Sequence, residues 1–197
     1  MPMATQHATR RGGRGARQRI LDAAAELFYR EGINATGVER LANASSVSKR
    51  TLYQHFPSKS AVVEEYLRSI EDVAAKPLRV SGKAAEQTPR NRLLALFDSP
   101  RAGTAPLRGC PFHNAAVEAA GAMPGVQRIV RAAKQNFIDG LTELSREAGA
   151  GDPRSLGNQL AVLYEGAAAL ATSLNDASTW EQARAAAETL IDQALAS

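Results

Sequence analysis

Apolar residues recur every three or four positions through most of this chain, and no stretch shows the alternation of a half-buried strand. The first stretch runs from about residue 17 to residue 30, with Ile20, Ala24, Leu27 and Phe28 on one face and Gly32 as its stop. Between residues 36 and 59 the pattern shortens. Thr36 and Glu39 have the T-x-x-E spacing of a capping box, and Val38, Leu41 and Ala42 share one helical face behind it. Ser45, Ser46 and Val47 break that pattern. Ser48 then caps a second short helix with Lys49, Arg50 and Thr51 in its first turn, Leu52 and Phe56 four apart, and Pro57 as its stop. Ser58 caps a longer helix carrying Ala61, Val62, Tyr66, Leu67 and Ile70.

The remainder reads as further helices, so the expected fold is all-α. Residues 76–89 form a polar connector, Leu93, Leu94 and Phe97 mark a fifth helix, and residues 99–109 are a second loop. Pro111 opens a helix through Ala115, Val117 and Ala120, and Pro124 opens a longer one keeping Val126, Ile129, Val130, Ala133, Phe137, Leu141 and Leu144 in phase. Asp152 with Pro153 starts the next helix, and Ser178 with Glu181 forms a second capping box for the last. These last two helices are apolar on more than one face. Leu156, Leu160, Leu163, Tyr164, Ala167 and Leu174 line one side of the first, while Val162, Gly166, Ala169 and Ser173 leave its other sides small and uncharged. The last helix carries Trp180, Ala183, Ala187, Leu190, Ile191 and Ala194. One face serves the protein's own core; the second suits a partner, and a two-fold four-helix homodimer through these helices is the simplest closed arrangement. Alanine-rich helices of a monomer are the alternative.

Two short helices joined by a tight turn make a helix-turn-helix, whose second helix is the one that enters the DNA major groove. Its residues suit that place. Lys49 and Arg50 match the acceptors of guanine, a methyl such as that of Thr51 packs on thymine, and Tyr53 and Gln54 follow one turn on. Thr36, Tyr53, His55 and Lys59 are placed for phosphate. The candidate DNA-contacting set is therefore Thr36, Ser48, Lys49, Arg50, Thr51, Tyr53, Gln54, His55 and Lys59.

Charge sharpens this picture. The net charge of +4 over 197 residues conceals a division: residues 1–60 hold ten Lys/Arg against four Asp/Glu, and the rest is slightly acidic. The basic charge sits with the helix-turn-helix, as double-stranded DNA requires of a partner. Arg10, Arg11, Arg14 and Arg17 make the start of the chain a flexible basic arm, able to follow the DNA backbone or only to solubilise. The expected organisation is an arm over residues 1–16, a DNA-binding domain over 17–60, and a ligand-binding and dimerisation domain over 61–197. No stretch reads as a membrane span or secretory signal, and a single cysteine suits the reducing cytoplasm.

Residues 20–59 resemble the DNA-binding domain of the TetR family of bacterial repressors, through ILDAAAELFYREG, the Thr36 position, and V-S-K-x-T-L-Y-x-H-F-P-S-K from residue 47 to residue 59. Ser45-Ser46 stands where that family has Ala-Gly, so the turn lacks its glycine, and Arg50 stands where Gly is common. The resemblance implies a dimeric regulator, a repressor more often than an activator, with recognition helices one DNA turn apart, ~34–36 Å. It also implies release from a palindromic operator by a small molecule that tilts the fourth helix.

Residues 108–119, R-G-C-P-F-H-N-A-A-V-E-A, resemble the opening of the ligand-binding body in one subgroup of that family. Candidate effector-lining residues are Cys110, Phe112, His113, Asn114, Gln135, Asn136, Tyr164 and Trp180, with core packing as the competing role. Cys110 precedes a helix N-terminus with His113 three residues on, which raises thiol sensing or a Cys/His pair against inert packing. Zinc needs three or four ligands, and no second Cys/His cluster completes a set. No cofactor, metal or catalytic group is expected. An enzyme or carrier built on the helical body is the competing class, and the basic first third argues against it.

Overall fold

The computed structural model describes residues 15–75, 87–98, 108–119 and 121–196. Arg10, Arg11 and Arg14 of the expected arm lie outside these residues, as do Ala120 and most of the expected connectors at 76–89 and 99–109. Among the described residues there are nine α-helices and no strand. They are α1 (Ala16–Arg30), α2 (Val38–Ala44), α3 (Lys49–His55), α4 (Lys59–Ala75), α5 (Pro89–Ala95), α6 (Pro111–Glu118), α7 (Pro124–Glu147), α8 (Pro153–Leu174) and α9 (Thr179–Leu195). The all-α expectation holds.

Helices α1–α4 form a head around buried Ile20, Leu27, Phe28, Leu41, Leu52, Val62, Tyr66 and Leu67. The same apolar cluster continues without interruption into Phe112 and Ala115 of α6 and Val126 and Val130 of α7. The head thus shares its core with the near half of the body. A second cluster joins α5, the far half of α7, α8 and α9 through Leu93, Leu141, Leu144, Leu160, Trp180 and Ile191. Helix α7, 24 residues long, belongs to both clusters and ties them together. It approaches α8 closely because Gly157 has no side chain: a Cβ there would lie 2.6 Å from Thr142 Oγ1 and 2.8 Å from Thr142 N. Short α5 is pinned by arginines, with Arg90 Nε donating to Asp192 at 2.7 Å and Arg92 to Glu147 at 2.9 Å.

Several helix starts are those the sequence predicts. The side chains of Ser48, Ser58 and Asp152 accept from the N–H groups of Thr51 (3.0 Å), Ala61 (3.1 Å) and Ser155 (3.0 Å). The two capping boxes are not formed. Helix α2 starts one residue later than expected, with extended Gly37 at its N-cap, so Thr36 turns inward and its hydroxyl donates to Gly32 O at 2.7 Å. Glu39 pairs instead with Lys49 at 3.0 Å. Ser178 is itself already helical in backbone, and Asp176 takes over the turn, accepting from Ser178 N–H at 2.8 Å and from its hydroxyl at 2.7 Å. Those bonds hold the Asp176 carboxyl below its ordinary pKa.

The turn of the helix-turn-helix is a Schellman ending built without glycine. Ser46 N–H donates to Asn43 O (3.1 Å) and Val47 N–H to Ala42 O (3.0 Å), which places Ser46 in the left-handed region at φ 53°. Helix α7 ends in the same motif, with Ala150 N–H on Ser145 O at 3.1 Å, but there the left-handed residue is Gly149. Ser45 supports the turn from inside, its hydroxyl donating to Leu41 O at 2.6 Å. A left-handed L-residue costs ~1–2 kcal/mol, and glycine returns part of that to unfolded-chain entropy. Ser46→Gly is therefore expected to stabilise the protein by about 0.5–1 kcal/mol, read as a higher urea midpoint at constant slope. An unchanged midpoint contradicts strain in this turn.

Candidate nucleic-acid interface

Helix α3 is anchored on one side and open on the other. Leu52 is fully buried and Phe56, just past the helix, is nearly so. Lys49, Arg50, Gln54 and His55 are exposed, and Tyr53 keeps 50% of its surface free. Arg50, Tyr53 and Gln54 fall at i, i+3 and i+4 and so project from one face. Arg50 makes no ion pair among the described residues. Lys49 is held by Glu39, but both partners are exposed, and such a pair is weak enough to be exchanged for a phosphate. Ser48 and Thr51 are less free: their hydroxyls share a hydrogen bond of 2.9 Å while Ser48 caps the helix.

Around α3, Arg17 ties three elements together. Its guanidinium sits 5.2 Å from the centroid of the Phe56 ring and 2.6 Å from Glu65 of α4, holding that carboxyl below its ordinary pKa. Arg17 is thus a structural arginine of α1 as well as the end of the basic run. Thr36 leaves the candidate set, because it is fully buried and its hydroxyl is used inside the head. Lys59 sits half-buried at the start of α4. Burial lowers its ammonium pKa, and Glu118 of α6 acts the other way.

The effector-lining candidates disperse. Phe112 is packed into the core shared by head and body. His113 is exposed, and Cys110 pairs not with it but with Lys134, whose ammonium lies 3.4 Å from Sγ. Asn114 donates to Arg108 O at 2.7 Å, closing the turn into α6. Asn136 is exposed and donates to Glu71 of α4 at 3.1 Å, and Gln135 reaches Asp139 on its own helix at 3.0 Å. Tyr164 packs among Phe97, Phe137 and Trp180, its centroid 5.1 Å from that of Trp180. Burial raises the Tyr164 phenol pKa, with Cys110 and Glu165 adding to it; burial likewise pushes Tyr66 up to about 12, with Tyr29 and Cys110 contributing. What the sequence reading missed is the ion pair beside Cys110, Lys134 to Glu165 at 2.5 Å. The signal was present in the sequence: Lys134 stands four residues after Val130, and Glu165 four after Ala161, each a charge on an inward-facing stripe.

A helix-turn-helix head with an exposed basic recognition face, fused to a helical body, defines a DNA-binding regulator. The model of the family described as bacterial regulatory proteins, tetR family, matches residues 20–66. The chain is 32% identical to a TetR-family transcriptional regulator from Streptomyces coelicolor, with a TM-score of 0.78, over 91% of this chain and 96% of that one. A TetR-type regulator from Streptomyces avermitilis is 30% identical with a TM-score of 0.79, over 92% and 98%. The transcriptional repressor KstR2 of Rhodococcus jostii is 43% identical over 61 residues, which is 31% of this chain and 30% of that protein. The chain belongs to the TetR family, whose members are transcription regulators and not enzymes. Among the described residues no helix is long and apolar enough to cross a membrane.

Arg50→Ala is expected to cost ~1–3 kcal/mol on the cognate site and to relax preference at one base pair, as loss of a guanine contact does. An equal loss on specific and random DNA, measured by competition binding, contradicts that role.

Proposed function

We propose that this protein is a ligand-responsive repressor that binds a pseudo-palindromic operator as a homodimer and is released by a small molecule held in its helical body. The observation that carries the reading is the face of α3, where Arg50, Tyr53 and Gln54 stand exposed above a fully buried Leu52, with exposed Lys49 beside them in a weak pair to Glu39. Phosphate attraction from the basic head supplies affinity for any DNA, and the exposed face of α3 supplies sequence choice. The DNA-contacting set is Ser48, Lys49, Arg50, Thr51, Tyr53, Gln54, His55 and Lys59, working in the cytoplasm where the chromosome lies.

Dimerisation runs through α8 and α9. Val162 is 75% exposed and Leu170 55%, with Gly166, Ala169 and Ser173 filling out the same side of α8. A stripe of apolar and small residues open to solvent is the counterpart of a second helix pair. Leu174 belongs with this outer surface at 63% exposure, rather than with the inner side, because α8 ends there beyond the packed core. An effector near Cys110, Tyr164, Lys134 and Glu165 regulates DNA binding only if it prefers the conformation that does not fit the operator, and DNA then weakens the effector by the same factor.

Selection of bound fragments from the source genome is expected to enrich a short inverted repeat. Leu170→Glu is expected to sediment as a monomer and to lose that site while keeping weak binding to random DNA. Binding that is uniform over all fragments, or a Leu170→Glu dimer that binds as the parent does, contradicts the proposal.

A further inference from the structure

The segment that opens α6 and the last residue of α6 grip the same end of α1. Arg108 Nε donates to Tyr29 O at 3.2 Å, and its Nη2 donates to Arg30 O. These carbonyls are among those that a helix leaves without partners at its C-terminus. Ten residues on, the Glu118 carboxylate accepts the backbone N–H of Asn34 at 2.8 Å, and Glu118 O accepts the Asn34 side-chain amide at 3.0 Å. The head is shaped for this visitor. Gly32 sits at φ 97°, and a Cβ there would lie 3.1 Å from Glu118 Oε2. Glu118 also favours the charged form of Lys59, which burial opposes.

The other end of α6 meets α7 and α8 of the body at a part-buried site. Its N-cap is Cys110, whose sulfur receives the Lys134 ammonium that also binds Glu165. Helix α6 has eight residues and so spans only about 12 Å. One short element therefore touches the body's part-buried ion pair at one end and the α1–α2 turn at the other. A shift of α6 reaches the helix-turn-helix through hydrogen bonds to the head's backbone, and it does not have to pass along α4.

We propose that Glu118 is a positioning residue for operator recognition, clasping the α1–α2 turn at Asn34 so that α6 fixes the angle at which the body presents α3. This rests on the repressor reading above. Sequence-specific binding by a dimer needs both heads held at a set separation, whereas backbone binding needs only charge, so loss of the clasp lowers discrimination rather than overall DNA affinity.

The test compares the parent, Glu118→Ala and Glu118→Gln on a duplex recovered by genomic selection and on a shuffled duplex, with amide exchange followed at Asn34. For Glu118→Ala, operator affinity is expected to fall about tenfold, as loss of a charge-assisted hydrogen bond does, while shuffled DNA changes by less than about twofold. Exchange at the Asn34 amide rises in parallel. Glu118→Gln, whose side-chain carbonyl accepts the same N–H, recovers most of both effects. Unchanged operator binding and unchanged exchange in Glu118→Ala overturn the proposal. So does an equal loss on both duplexes with a lowered melting temperature, since Glu118 then only supports the fold. A parent protein that does not distinguish the two duplexes refutes the repressor reading itself, and Asn34 exchange still decides whether the clasp exists.

Discussion

A seven-residue helix does not persist in water, where isolated helices below ~12–15 residues are marginal. Helix α3 holds its shape because Leu52 is buried in the head, Ser48 caps its start, and Phe56 locks its exit beneath Arg17. Everything the head presents to DNA depends on that burial. With Leu52 turned inward, the helical repeat places Arg50, Tyr53 and Gln54 outward together, as rigidly as the core beneath them. Arg17 extends the same constraint to α4 through Glu65, linking the entry of α1, the exit of α3 and the body of α4.

The core that fixes α3 does not end at the head. Phe112, Ala115, Val126 and Val130 belong to the cluster that contains Leu52 and Phe28, and α7 carries the structure on into the second cluster. Close-packed interiors deform by switching between discrete arrangements, not by bending continuously. A molecule that repacks the region around Lys134 and Glu165 therefore acts on elements that contact the head by side-chain packing and by the hydrogen bonds of Arg108 and Glu118. Allosteric control requires such a shared element, biased by both ligands.

Local chemistry explains how much of this was legible in the sequence. Helix starts with a dedicated cap, such as Ser48 before Lys49 and Asp152 before Pro153, are where the residues predict them. The boxes at Thr36 and Ser178 failed because spacing alone does not fix which residue enters the helix extended: Gly37 took the first N-cap, and Asp176 organised the second turn. The Ser45-Ser46 turn was legible as a turn without its glycine, while the left-handed backbone of Ser46 is what the structure adds. Phe112, His113 and Asn136 were grouped by polarity and position, but their separation onto the core, the outer surface and the α4 seam is a property of tertiary packing. Glu118 and Arg108 left no local signal, since their partners lie 84 and 79 residues away. Lys134 and Glu165 did leave one, as charges within apolar stripes.

Head and near body share one packed core, and native-state amide exchange of the full chain reads that sharing out. Core amides of α1, α3, α6 and the first half of α7 are expected to open with a common free energy and a common denaturant dependence, as one cooperative unit. A head whose amides exchange at a much lower free energy than those of α6 and α7 would show two independent units, and the coupling argued from the shared core would then fail.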